Sequence, residues 1–149
     1  MFGDMPEVKK SVLVHHSVEQ MFGLVDDVRR YPEFLPWCSA AEVTQSDEKM
    51  VRATVQISYR GIKQRFTTAN SREPPHAISM KLVDGPFRVL DGSWRFNDLE
   101  GRGCKIEFHL HYEFSNRVLA ALVGPVFSYI ADTMVDAVVK RAERIHGAR

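Results

Sequence analysis

The sequence has little of what would mark a specialised class. Only two of its 149 residues are cysteine, Cys38 and Cys104. Two thiols make no disulfide framework; they read as reduced, partly buried side chains, although one bridge between them is compatible with the count. An excess of one charge is also missing, since 20 Lys and Arg against 19 Asp and Glu leave a net charge of +1. A duplex-binding protein gathers basic residues because its affinity comes largely from neutralising phosphates. DNA is therefore not an expected partner, and RNA contact would need a local patch. No stretch reaches the roughly 18 apolar residues of a membrane span. Met1 to Lys10 holds a proline and mixed charge where a signal peptide would hold an apolar core. Repeats and low-complexity linkers are absent. So are a Gly-x-Ser-x-Gly elbow, a phosphate-cradling glycine loop and a carboxylate pair on any inward face, so no enzyme is expected. These absences leave one soluble domain over residues 1–149, expected in the cytoplasm and able to touch the inner membrane peripherally.

What is present is a patterned globular chain, 44% hydrophobic and 26% charged, long enough to bury a core without staples. Val8 to His15 reads as a strand. Ser17-Val18-Glu19-Gln20 is a capping box that starts a helix with Met21, Phe22, Leu24, Val25 and Val28 as its apolar face. Two prolines in Tyr31-Pro32-Glu33-Phe34-Leu35-Pro36-Trp37 prevent a long helix there, and one short helical turn carrying Phe34 and Leu35 is expected. Alternation follows. Val51, Ala53, Val55, Ile57 and Tyr59 share one face and Arg52, Thr54, Gln56, Ser58 and Arg60 the other. After Gly61, Ile62, Gln64, Phe66 and Thr68 alternate with Lys63, Arg65 and Thr67. Inward sets continue with Ile78, Met80 and Leu82, then Leu90, Trp94 and Phe96. The last runs Ile106, Phe108, Leu110, Tyr112 and Phe114 against Lys105, Glu107, His109, His111 and Glu113. Short turns between such segments imply an antiparallel meander with one wet and one greasy face.

The cover for that greasy face is Arg117 to His146. Leu119, Leu122, Val123, Val126, Phe127, Ile130, Met134, Ala137, Val138 and Ile145 fall on one helical stripe. Ser115 or Asn116 can cap it. At Gly124-Pro125 the helix either kinks or gives way to a second helix, with the kink favoured. The order strand, helices, six strands, long helix predicts an α+β helix-grip fold, a curved antiparallel sheet around a long C-terminal helix. Sheet and helix cannot touch everywhere, so a cavity is expected between them. Its predicted lining is Val55, Ile57, Phe66, Met80, Trp94, Phe108, Leu110, Phe127, Ile130 and Met134. Phe34, Leu35, Trp37 and Phe87 are placed near its mouth, with Phe87 as a gate. The first three are either a plug on the core or a lid that touches a membrane. Tyr59, Gln64 and Tyr112 are the polar groups expected to point inward, where one of them could orient a carbonyl.

In this order the chain resembles the START-like superfamily, in its coenzyme Q-binding and polyketide-cyclase-like branch, and within it the bacterial ribosome association toxin family. The residues that carry the resemblance are Tyr31-Pro32-Glu33-Phe34-Leu35-Pro36, Val83-Asp84-Gly85-Pro86-Phe87 and Ile106-Glu107-Phe108-His109-Leu110. Phe127, Met134-Val135 and Arg141-Ala142 fit too, and the likeness runs from about Met5 onward. Pro125 departs from the family pattern. The resemblance implies a fold and a cavity for a quinone or other prenyl lipid that supports respiration. Its toxin branch implies instead a protein that binds the large ribosomal subunit and blocks subunit joining, and an oligoketide cyclase is a third, weaker implication.

Several polar clusters complete the reading. His109 and His111 point the same way and read as a solvated sheet surface, with no third ligand for a metal, so neither metal nor cofactor is expected. Arg52, Arg60, Lys63, Arg65 and Arg72 could form a basic face for RNA. Lys140, Arg141, Arg144 and Arg149 end the last helix and complement its dipole, or meet RNA or anionic lipid.

Overall fold

The computed structural model describes residues 7–147. Seven strands form one antiparallel sheet: β1 (Glu7–Val14), β2 (Cys38–Ser46), β3 (Met50–Tyr59), β4 (Ile62–Glu73), β5 (Ala77–Asp84), β6 (Phe87–Asp98) and β7 (Cys104–Phe114). Their spatial order is β1-β7-β6-β5-β4-β3-β2. From β2 to β7 this is the expected meander, and β1 closes it by pairing with β7, Glu7 opposite His111 and Val14 opposite Cys104. Period two holds where it was read. β7 alternates strictly, with Ile106, Phe108, Leu110, Tyr112 and Phe114 buried while Lys105, Glu107, His109, His111 and Glu113 are half-exposed. The sheet is curved and its concave face is the greasy one, as in a START-like helix-grip protein.

β2 has no clean alternation because it is an edge strand, and its register against β3 shifts twice, between Cys38 and Ala40 and between Val43 and Gln45. Such irregularity disturbs the two-residue period.

Helix α1 (Val18–Asp26) begins at Ser17, whose hydroxyl accepts from the Gln20 backbone at 3.1 Å while the Gln20 side chain accepts from the Ser17 backbone at 3.0 Å. It buries Val18, Met21, Phe22 and Val25, and Phe22 meets Phe96 of β6 edge-on. The short turn after it is a 3-10 helix over Val28–Glu33. It ends before the expected Phe34 and Leu35, because Pro32 fits its middle and Phe34 caps it.

The cover is α2 (Arg117–His146), one unbroken helix capped by Asn116, whose Oδ1 accepts from Leu119 N at 2.9 Å. No second helix starts at Pro125. That residue faces water, where the carbonyl it cannot bond is solvated. By length and composition α2 would suffice to cross a bilayer, although no run of roughly 18 apolar residues is unbroken. Its buried stripe, Val123 to Ala142, packs on the sheet and α1. Two members of the expected stripe lie off it: Leu122 and Ile145 are 59% and 48% exposed.

Candidate functional site

The sheet and α2 do not close on each other completely. The space between them is a cavity of about 90 Å³. Val55, Phe66, Met80, Trp94, Phe108, Leu110, Phe127, Ile130 and Met134 line it, all as the alternation and the helical stripe predict. Trp37 lines it as well, as a wall and not a mouth residue, being 4% exposed. The indole of Trp94 has two aromatic neighbours, Phe96 at 6.2 Å and Phe108 at 4.5 Å between ring centroids. Met80 folds over Gly92, where a Cβ would lie 2.6 Å from the Met80 methyl group. A glycine here makes room for a flexible side chain that can move.

Other expected residues lie elsewhere. Ile57 is 1% exposed, inside the core and off the cavity. Leu35 is equally buried, and Phe34 is half-buried beneath the Arg141 guanidinium, which stands 5.2 Å over its ring and donates to Glu33 at 2.6 Å. This segment is thus a plug, and a membrane-touching tip is ruled out by its burial. Phe87 is no gate. It opens β6 with 4% exposure and packs against Phe66, Tyr112, Phe114 and Phe127. Tyr112 is one of that ring cluster and Gln64 lines a surface groove beside Leu119, so neither lines the hollow. Tyr59 is stacked outside it on Tyr129 at 5.2 Å.

The polar groups of the cavity are instead Tyr31, Thr68 and Asn70, with Val28, Ala53, Leu90 and Ala131 completing the wall. Tyr31 is spent internally: its hydroxyl donates to the Val25 carbonyl, and burial, reinforced by Asp26, pushes its phenol well above the usual range. The Thr68 hydroxyl donates to Asn70 Oδ1 at 2.8 Å, which leaves the Asn70 NH2 end without a hydrogen-bond partner among the described residues. Asn70 is 7% exposed. Continuing the β4 alternation two residues past Thr68 would have found it. No carboxylate, histidine or lysine lines the cavity, so it can bind a neutral group and hydrogen-bond an acceptor, but it holds no acid–base pair.

Outside the cavity, His109 bonds Glu7 at 2.8 Å, and among the described residues no three metal-ligating side chains converge. The thiols of Cys38 and Cys104 are free and buried, and burial pushes both up to about 11. On the outer sheet face Arg52, Lys63 and Arg65 are exposed, with Arg60 at the β3–β4 turn. Arg72 does not join them. Its position has inward parity near the end of β4, where it makes a two-pronged pair with Asp26 at 2.6 and 2.7 Å. On α2, Lys140 pairs with Asp136 and Arg141 with Glu33, while Arg149 lies outside the described residues.

Known proteins agree with this geometry. A family model described as polyketide cyclase / dehydrase and lipid transport matches residues 14–139. The ribosome association toxin RatA of Vibrio cholerae is 44% identical over 143 residues, covering 96% of this chain and 99% of that one. The coenzyme Q-binding protein COQ10 homolog B of Xenopus laevis is 31% identical, covering 95% of this chain and 59% of that one. A START superfamily structure from Mycobacterium smegmatis shares the fold with a TM-score of 0.76 at 19% identity, covering 93% of this chain and 98% of that one. The chain belongs to the START-like family of polyketide cyclase / dehydrase and lipid transport proteins, in which bacterial ribosome association toxins are among its kin.

Proposed function

We propose that this protein associates with the large ribosomal subunit in the cytoplasm and hinders subunit joining, without catalysing a reaction. The observation that carries the reading is 44% identity with a ribosome association toxin across nearly the full length of both chains. Two features support it. The outer sheet face presents Arg52, Lys63 and Arg65 exposed, with no ion-pair partner among the described residues, which suits RNA phosphates. The cavity, about 90 Å³, is small beside the roughly 300–1,000 Å³ of ordinary ligand pockets. In a sucrose gradient, added protein is expected to migrate with the large subunit and to replace whole ribosomes by separated subunits. The charge reversal Arg52→Glu with Arg65→Glu is expected to weaken that effect at least tenfold. An unchanged profile, with the protein left at the top of the gradient, would refute the reading.

A second reading has one specific observation in its favour. The apolar cavity holds a single unpartnered amide at Asn70, placed to donate to a carbonyl, and a coenzyme Q-binding protein is among the relatives. A quinone or related lipid with its oxygen on Asn70 would need Met80 to swing away. Organic extraction of the purified protein followed by mass spectrometry tests it: a quinone recovered from the wild type and lost from Asn70→Ala supports this reading, and an empty wild-type protein removes it.

A further inference from the structure

We propose that the start of α2, with the tip of the β3–β4 hairpin, is a docking surface for an anionic lipid bilayer. Residues 117–122 read Arg-Val-Leu-Ala-Ala-Leu; of these only Leu119 is half-buried against the core, and the first fully buried residue of the helix is Val123. Val118 and Leu122 are 66% and 59% exposed, and Tyr129 is 39% exposed. With Pro125 they recur at helical spacing, so one stripe of the water-facing side is apolar. Two large aliphatic side chains one turn apart, continued by an aromatic, make a patch and not scatter.

The surroundings of the stripe identify its occupant. Tyr129 is stacked on Tyr59 at 5.2 Å with the rings 4° from parallel, and the Arg60 guanidinium lies 5.4 Å from the Tyr59 ring centre. A hydrogen bond that the Tyr129 hydroxyl donates to Tyr59 is the main cause that holds the Tyr129 phenol above its ordinary value. Lys63 and Arg65 border Leu119 across a shallow groove, and Arg117 opens the helix. Acidic groups nearby are fewer. Asp84 lines the same groove, Asp132 is exposed one turn beyond Tyr129, and Glu113 is ion-paired to Arg88. Aliphatic side chains enter the acyl region, tyrosines sit at headgroup level, and cations meet anionic headgroups. RNA would satisfy the cations and leave Val118 and Leu122 wet. A second copy of this face would set cations against cations.

This surface goes beyond the ribosome reading and does not rest on it. The test is flotation of the purified protein with vesicles of phosphatidylcholine alone and of phosphatidylcholine with phosphatidylglycerol. The wild type is expected to float with the mixed vesicles, several-fold less with neutral ones, and less as salt rises. Val118→Ser with Leu122→Ser is expected to lower the partition coefficient about tenfold for each side chain. Arg117→Gln and Lys63→Gln should lower it about fivefold each. Thermal melts should stay unchanged, because these side chains face water. The proposal is overturned if the wild type does not bind mixed vesicles, binds neutral ones equally well, or binds undiminished after the double serine substitution. Two further outcomes overturn it. One is a wild-type dimer in sedimentation that the serine variant dissociates. The other is loss of ribosome co-migration in that variant when the wild type ignores vesicles.

Discussion

Gly103 stands at a φ of 136°, and a Cβ there would lie 2.0 Å from the Val14 carbonyl oxygen. Neither the dihedral nor the contact tolerates a side chain, so Gly103→Ala is expected to cost at least about 3 kcal/mol. Gly61, at φ 82°, has nothing within 4 Å of its would-be Cβ, and Gly61→Ala should cost only about 1 kcal/mol for the dihedral. Urea denaturation of the two variants separates backbone strain from collision. The two thiols give a pH prediction. Burial raises Cys38 and Cys104 from 9.0 to about 11. The folded state therefore holds protons that the unfolded chain releases between those values. Stability is full below pH 9.0 and falls as pH rises towards about 11, the sign required by linkage. Near neutral pH neither thiol should be alkylated by iodoacetamide until the protein unfolds, which intact mass spectrometry reads directly.

Between α1 and the end of β4, the guanidinium of Arg72 holds Asp26 by two hydrogen bonds, donates to the Asp47 and Glu48 carbonyls, and lies 5.9 Å over the Phe22 ring. One side chain thereby ties α1, the β2–β3 turn and β4. Arg72→Ala is expected to lower stability by about 2 kcal/mol. Lys should not rescue it, because an ammonium cannot make the two-pronged contact; thermal unfolding of both variants checks this. Such ties explain why the sequence could be read only in part. Strands β3 and β7 announce themselves because one face is buried along their whole length, so Val55, Phe108 and Leu110 were placed on the cavity by parity alone. β2 did not, since its bulges scramble parity. Parity says which face a residue takes, but not how deep along the strand the hollow lies. That is why Ile57, Gln64 and Tyr112 share the inward parity of the cavity residues and yet lie off the cavity. Arg72 was read as part of a basic face because its partner is 46 residues away, beyond the reach of any local pattern.

For the molecule as a whole, the fit between sheet and helix decides what can enter. Ile130 lines the cavity and Ala137 does not. Ile130→Trp is thus expected to occupy the hollow, costing no more than about 1–3 kcal/mol, the usual range for overpacking, and to empty the protein of any extracted lipid. Ala137→Trp should leave the extract unchanged. Melting curves and mass spectrometry on both variants provide the check. The topology also bears on how the chain comes into being. Strands β2 to β7 each pair with a neighbour in sequence, but β1 must wait for β7, with Glu7 opposite His111. About a hundred residues separate the two, roughly 5–20 s of synthesis. For that interval β1 has no partner in the sheet, while the meander behind it can already zip. Amide exchange in the finished protein should carry the imprint, with β1 opening before the central strands. A nascent chain of this protein is therefore half-assembled beside the very particle that its mature form is proposed to bind.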